Sequence, residues 1–218
     1  MVIFDCNGVL VDSEPIAADV AAQEFNRAGF PLTPEIVARY FTGRRPSDMF
    51  TEIETAYRKK LPPDFATVIT AATLQRFRAD LCATRHMDYA LTWLRGRKCV
   101  ASSSSLDRVR VSLETTGLLR FFDPYLFSAS DVPRGKPAPD LFLHAAAKMG
   151  VAPSDCIVVE DSPAGIAAAS AAGMVPIGYI GGSHAGPNLD TYLTNAGARM
   201  VIADMRALKS TVTALRGW

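Results

Sequence analysis

The chain has 218 residues, enough for one large domain or for a core with a smaller satellite. Hydrophobic residues make up 49%, which suits a buried α/β core, and 23 basic against 22 acidic residues leave a formal charge of +1. That balance argues against nucleic acid or a membrane surface as the main partner, and no apolar run approaches the roughly 18–20 residues of a membrane helix.

The first apolar run, Val2–Phe4, reads as a buried strand with Asp5 at its end. With Asp5, Asp12 and Glu14 and no basic segment before them, this stretch is not expected to act as a signal peptide. From about Glu14 to Cys82 the pattern is helical. Ile16, Val20, Ala21 and Phe25 share one face of a helix that stops at Gly29; Thr33 and Pro34 open a second, and Pro62-Pro63-Asp64 introduces a longer one. No strand is expected in this stretch, so it reads as a small helical insertion.

Beyond it, Lys98–Ala101, Tyr125–Phe127, Cys156–Val159 and Val175–Gly178 read as strands, with Arg199–Ile202 as a sixth. Helices between the later ones follow the βαβ rhythm of a parallel sheet. One starts at Asp140 after Pro139 and stops at Gly150; another starts at Ser162-Pro163 and stops at Gly173. The expected fold is therefore α/β, a Rossmann-like parallel sheet with helices on both faces. Residues 1–13 and 84–218 form its core and residues 14–83 an inserted helical cap, with hinges near Asp12–Pro15 and Asp80–His86. Of the four cysteines, Cys6, Cys99 and Cys156 lie in or beside strand-like runs and Cys82 apart, with no CxxC pair; buried free thiols in a reducing cytoplasm are expected.

The chemistry is concentrated at strand ends. Asp5 ends the first strand, Ser102 the second and Glu160-Asp161 the fourth, while Lys136 follows the third in a loop rich in glycine and proline. Residues just beyond the carboxyl ends of parallel strands face one crevice, so a serine, a lysine and three carboxylates should converge there. That many carboxylates call for a cation, and hard oxygen ligands favour Mg²⁺.

The segment Asp5-Cys6-Asn7-Gly8-Val9-Leu10-Val11-Asp12-Ser13-Glu14 resembles the first signature of the haloacid dehalogenase superfamily. Ser102 resembles the second, Lys136-Pro137-Ala138-Pro139-Asp140 the third, and Glu160-Asp161-Ser162-Pro163-Ala164-Gly165 the fourth. All four stand in order, and the helical insertion resembles the family's C1-type cap. The resemblance implies that Asp5 is a nucleophile forming an aspartyl-phosphate. It also implies that Mg²⁺ is held by Asp5, Asp161, Glu160 and the main-chain carbonyl of Asn7. Ser102 and the Ser103 amide would bind phosphoryl oxygens, and Lys136 would supply a fixed positive charge.

The departure is Asn7, where phosphatases of the family carry an aspartate as general acid and base. An amide cannot exchange that proton, and its loss costs roughly 10²–10⁴-fold in rate. The expectation is a site that binds a small phosphorylated metabolite but turns over slowly, as in a disabled, ligand-trapping phosphatase. The alternatives are a natural pseudoenzyme and the dehalogenase branch, against which the acidic pair Glu160-Asp161 stands. Asn7-Gly8 is also prone to deamidation, which would restore the acid. The β-phosphoglucomutase branch carries a histidine shortly after the first signature, whereas this chain reads Pro15-Ile16-Ala17-Ala18. A monomer or small homo-oligomer is expected.

Arg44 and Arg45, after Gly43, are candidates to pair with a second anionic group of the substrate or to form a solvated turn. Glu14 is expected to contact substrate or to support a helix start. His86 and His184 are expected in exposed loops, and His144 in a helix with a structural role.

Overall fold

The computed structural model describes residues 1–41 and 46–216. The chain divides into two compact units, Met1–Asp12 with Cys82–Trp218, and Ser13–Leu81.

The elements in chain order are β1 (Val2–Phe4), α1 (Glu14–Arg27), α2 (Pro34–Phe41), α3 (Pro46–Tyr57), α4 (Phe65–Asp80), α5 (Met87–Trp93), β2 (Lys98–Ser102) and α6 (Leu106–Thr115). They continue with β3 (Leu126–Ser128), α7 (Asp140–Lys148), β4 (Ile157–Glu160), α8 (Pro163–Ala171), β5 (Val175–Tyr179), α9 (Leu189–Asn195), β6 (Met200–Ile202) and α10 (Leu208–Arg216). The larger unit holds one six-stranded sheet in the order β3-β2-β1-β4-β5-β6, every pairing parallel. This is the doubly wound order, whose direction of winding reverses between β1 and β4 and opens a crevice there.

Val2, Ile3 and Phe4 are fully enclosed, as expected of a strand covered on both faces. One layer of the core packs Ile3, Cys99, Ala101 and Val158 against Leu141, Phe142, Ala168 and Ala169 of α7 and α8. Alanines on α8 let it lie close to the sheet. Gly173 ends that helix at φ +71, a conformation in which a Cβ would be strained.

Four strands, β2 to β5, run a residue further at their carboxyl ends than their apolar runs suggest. Ser102 pairs with Ser128 and Glu160 with Gly178, so both polar residues are the last of their strands rather than the first beyond them. Conversely β3 begins at Leu126, and Tyr125 is half-exposed in the turn before it. Cys6, Cys99 and Cys156 are buried free thiols and Cys82 is exposed; burial pushes the Cys99 thiol up to about 12.

The smaller unit is helical, with α1 to α4 around an aromatic core. Phe25 meets Phe65 at 4.8 Å between ring centroids, and Phe50 meets Phe65 edge-on at 5.4 Å. Phe25 and Phe30 are fully buried. Among the described residues no helix is long and apolar enough to cross a membrane.

Candidate active site

The register of the sheet brings the polar strand ends together. Phe4 pairs with Val100 on one side and Val159 on the other, so Asp5 emerges level with Ala101 and Glu160, with Ser102 one residue further along β2. Its own amide remains in the ladder, donating to the Val159 carbonyl at 3.0 Å. The chain then doubles back. The Leu10 and Val11 amides both donate to the Cys6 carbonyl, and Gly8 sits at φ +72. A Cβ on Gly8 would stand 1.9 Å from Asp161 Oδ2, so only glycine lets the two loops approach.

Lys136 links the carboxylates. Its ammonium is 2.5 Å from Asp5 Oδ1 and 2.5 Å from Glu160 Oε1, and its side chain is 6% exposed. The same nitrogen donates to the Ala101 carbonyl at 3.3 Å and lies 5.1 Å from the centre of the Phe142 ring. These contacts fix a charge on a long side chain that would otherwise sample many rotamers.

Glu160 is the most enclosed of the carboxylates, with its side chain 1% exposed. Besides Lys136 on Oε1, its Oε2 accepts from the Asp161 amide, the Ser162 amide and the Ser162 hydroxyl at 2.9–3.1 Å. Ser162 caps α8 by accepting from the Gly165 amide at 3.0 Å, with Pro163 in the first turn. Gly165 has no room for a side chain, because a Cβ there would stand 1.9 Å from the Glu160 carboxyl carbon. Glu160 thus ties Lys136 to the start of α8.

Ser102 is buried, and its Oγ accepts from the Ser104 amide at 3.2 Å. The Ser104 carbonyl is held by Ser128 Oγ at 2.8 Å, and Ser105 caps α6, while Ser103 is exposed on the turn. Asn7 donates from Nδ2 to Ser104 Oγ at 2.9 Å, and its Oδ1 is buried with no hydrogen-bond partner among the described residues. The amide therefore stands beside the serine loop.

The electrostatics show an excess of buried negative charge. Burial raises the Asp5 carboxyl well above the usual carboxylate range; Lys136 opposes this, and Glu160 and Asp161 add to it. Burial pulls the other way on Lys136, but Asp5 and Glu160 outweigh it and hold the ammonium firmly protonated. Lys136 thus pairs with two of the three carboxylates, while Asp161 stands against His184. A divalent cation fits the remaining deficit, and the donors are all hard oxygens. Among the described residues no group of three or more His, Cys, Asp or Glu side chains is arranged to hold a metal ion. A site of one or two carboxylates completed by main chain, water and substrate is the arrangement Mg²⁺ favours.

Two histidines differ from expectation. His184 is not an exposed loop residue: its side chain is 12% exposed and its Nε2 is 2.9 Å from Asp161 Oδ2. The available signal was its position just past the fifth strand, at the same edge of the sheet as the other site residues. His86 is also partly enclosed, its Nδ1 3.0 Å from Asp204 Oδ1. His144 lies in α7, edge-on to Phe127 at 5.8 Å, a packing role. Glu14 opens α1 in the smaller unit, where its carboxylate suits the positive end of the helix. Arg44 and Arg45 lie outside the described residues.

A doubly wound parallel sheet with a lysine-bridged aspartate at its switch point defines a hydrolase of the haloacid dehalogenase type. The chain belongs to that family: the haloacid dehalogenase-like hydrolase model matches residues 1–173. It is 33% identical over 174 residues to 6-phosphogluconate phosphatase of Escherichia coli (strain K12), covering 79% of each chain. It is 32% identical over 179 residues to validoxylamine A 7′-phosphate phosphatase of Streptomyces hygroscopicus subsp. limoneus, covering 81% of this chain and 83% of that one. The crystal structure of a haloacid dehalogenase-like protein from Agrobacterium tumefaciens str. C58 is similar throughout. That similarity has a TM-score of 0.86 and 38% identity, covering 99% of this chain and 98% of that one.

Proposed function

We propose that the chain is a Mg²⁺-dependent phosphatase that cleaves a small phosphomonoester through a phosphorylated Asp5, with turnover slowed by Asn7. The observation that carries this is the buried Asp5–Lys136–Glu160 chain of contacts, with Asp161 and Ser102 beside it at the switch point of the sheet. A carboxylate kept in the interior against a fixed ammonium serves poorly as a mere turn residue.

The reaction is nucleophilic displacement at phosphorus. The Asp5 carboxylate forms the new O–P bond, and the bond to the leaving oxygen breaks with its electron pair. Lys136 stabilises charge on Asp5 and on the phosphoryl group, while the Ser102 hydroxyl and the Ser103 amide bind phosphoryl oxygens. Water then cleaves the acyl phosphate. Asp5, Asp161 and the main-chain carbonyl of Asn7 are the groups proposed to hold Mg²⁺, which when bound shields the nucleophile from an anionic substrate. Glu160, engaged by Lys136 and by the start of α8, supports the site by holding both in place. The leaving oxygen and the attacking water each need a proton transfer. Asn7 is positioned beside the serine loop but has no exchangeable acid proton, which costs about 10²–10⁴-fold.

The relatives' substrates support a phosphorylated sugar or sugar acid. Arg44, Arg45 and Glu14 are proposed to select the leaving group. Free thiols fit a reducing compartment such as the cytoplasm.

The test is hydrolysis of an aryl phosphate, then of a panel of sugar phosphates, with Mg²⁺. Asn7→Asp is expected to raise kcat by about 10²–10⁴-fold, and Asp5→Ala in that background to abolish the gain. An Asn7→Asp variant that stays inert across the panel would favour a non-catalytic phospholigand-binding protein, with a haloacid the next substrate to try.

A further inference from the structure

The loop after β5 reaches the site through two contacts that the reaction above leaves unused. Ser183 holds Asp12 Oδ1 with both its amide, at 3.1 Å, and its hydroxyl, at 2.8 Å. The next residue, His184, places Nε2 2.9 Å from Asp161 Oδ2 with the side chain 12% exposed. Its ring fits only because two neighbours lack side chains. A Cβ on Gly8 or on Gly182 would stand 2.7 Å from His184 Cε1. The loop is thus fastened to the first signature at Asp12, threaded between two glycines, and directed onto the carboxylate of the fourth.

We infer that His184 is a positioning residue for Asp161, donating from Nε2–H to Oδ2 so that the carboxylate presents its remaining lone pairs to the cation. An ionised carboxylate only accepts, so the ring nitrogen at 2.9 Å carries the proton. An imidazole behind a metal-binding carboxylate sets its rotamer, and loss of such a partner typically weakens metal binding about 10–100-fold. The inference rests on the reading of Asp161 as a metal ligand.

The test uses Mn²⁺ as the probe, with free Mn²⁺ measured by electron paramagnetic resonance, so no turnover is needed. His184→Leu keeps the bulk and removes the donor; His184→Gln keeps an N–H of similar reach. The Leu variant is expected to bind Mn²⁺ about 10–100-fold more weakly, with Gln recovering most of the loss. Leu binding as tightly as the unaltered chain overturns the inference, and so does Gln binding as weakly as Leu. Asp161→Ala separates the two levels. If it leaves Mn²⁺ binding intact, the metal reading itself falls; if it abolishes binding while Leu does not alter it, only the role of His184 falls. Nitrogen-15 NMR of the unaltered chain supplies a check that needs no variant to fold. Nε2 is expected to be protonated, and an unprotonated Nε2 overturns the inference.

Discussion

Replacing Lys136 by methionine tests the electrostatic frame of the site without reference to catalysis. Methionine keeps a flexible apolar stem against Phe142 and removes the ammonium that stands 2.5 Å from both Asp5 and Glu160. Removing one partner of a buried ion pair costs about 3–5 kcal/mol, because the other charge is left uncompensated. Glu160 retains three hydrogen bonds on Oε2, and Asp5 is 10% exposed, so the lower end, about 3 kcal/mol, is expected here. For a protein of this size that is a fall in Tm of about 6–12 °C. The assay is thermal denaturation by circular dichroism in chelator at neutral pH. Glu160→Gln in the Lys136→Met background should recover part of the loss, since it removes the orphaned charge. A Lys136→Met variant within about 2 °C of the unaltered chain would refute the reasoning, as would a double variant that loses the sum of two independent penalties.

Two further outcomes follow from the same geometry. Burial, then Glu160 and Asp161, raise the folded-state pKa of Asp5 against the pull of Lys136, so the stability contributed by its proton is present below the unfolded carboxylate value and lost as pH rises through the raised one. Mg²⁺ needs the ionised form, so the rise in Tm on adding Mg²⁺ should be larger at about pH 8 than at about pH 5; an equal rise at both would count against Asp5 as a ligand. Gly165→Ala would place a Cβ 1.9 Å from a carboxyl group pinned on both oxygens. It should cost about 1–3 kcal/mol by overpacking and weaken Mn²⁺ binding as Glu160 and the start of α8 shift, whereas a Tm and metal affinity like those of the unaltered chain would show that Glu160 moves freely.

Much of the site was legible because parallel sheets obey a simple rule. Short apolar runs with helical patterns between them specify buried strands, and the residues that end such strands share one crevice. Asp5, Ser102, Lys136 and Asp161 can therefore be grouped from the sequence, and the Asn7 departure is visible directly in the first signature. Helix stops such as Gly173 were equally local, since a positive φ asks for glycine wherever it occurs.

The tertiary structure decided what each side chain faces. Glu160 reads as a third ligand beside Asp161, yet it is turned onto Lys136, Ser162 and two amides, and Gly165 makes the space for it. His184 reads as a surface residue of a glycine-rich loop, yet that loop is fastened at Asp12 and carries the imidazole to Asp161. Strand ends and helix punctuation are written in neighbouring residues, through backbone sterics and the period of burial. The partner of a polar side chain is set instead by segments far apart in the chain, as with Lys136 and Asp5, which are 131 residues apart. Only the packed fold brings such groups within hydrogen-bond reach, where a buried charge must find its partner or be neutralised.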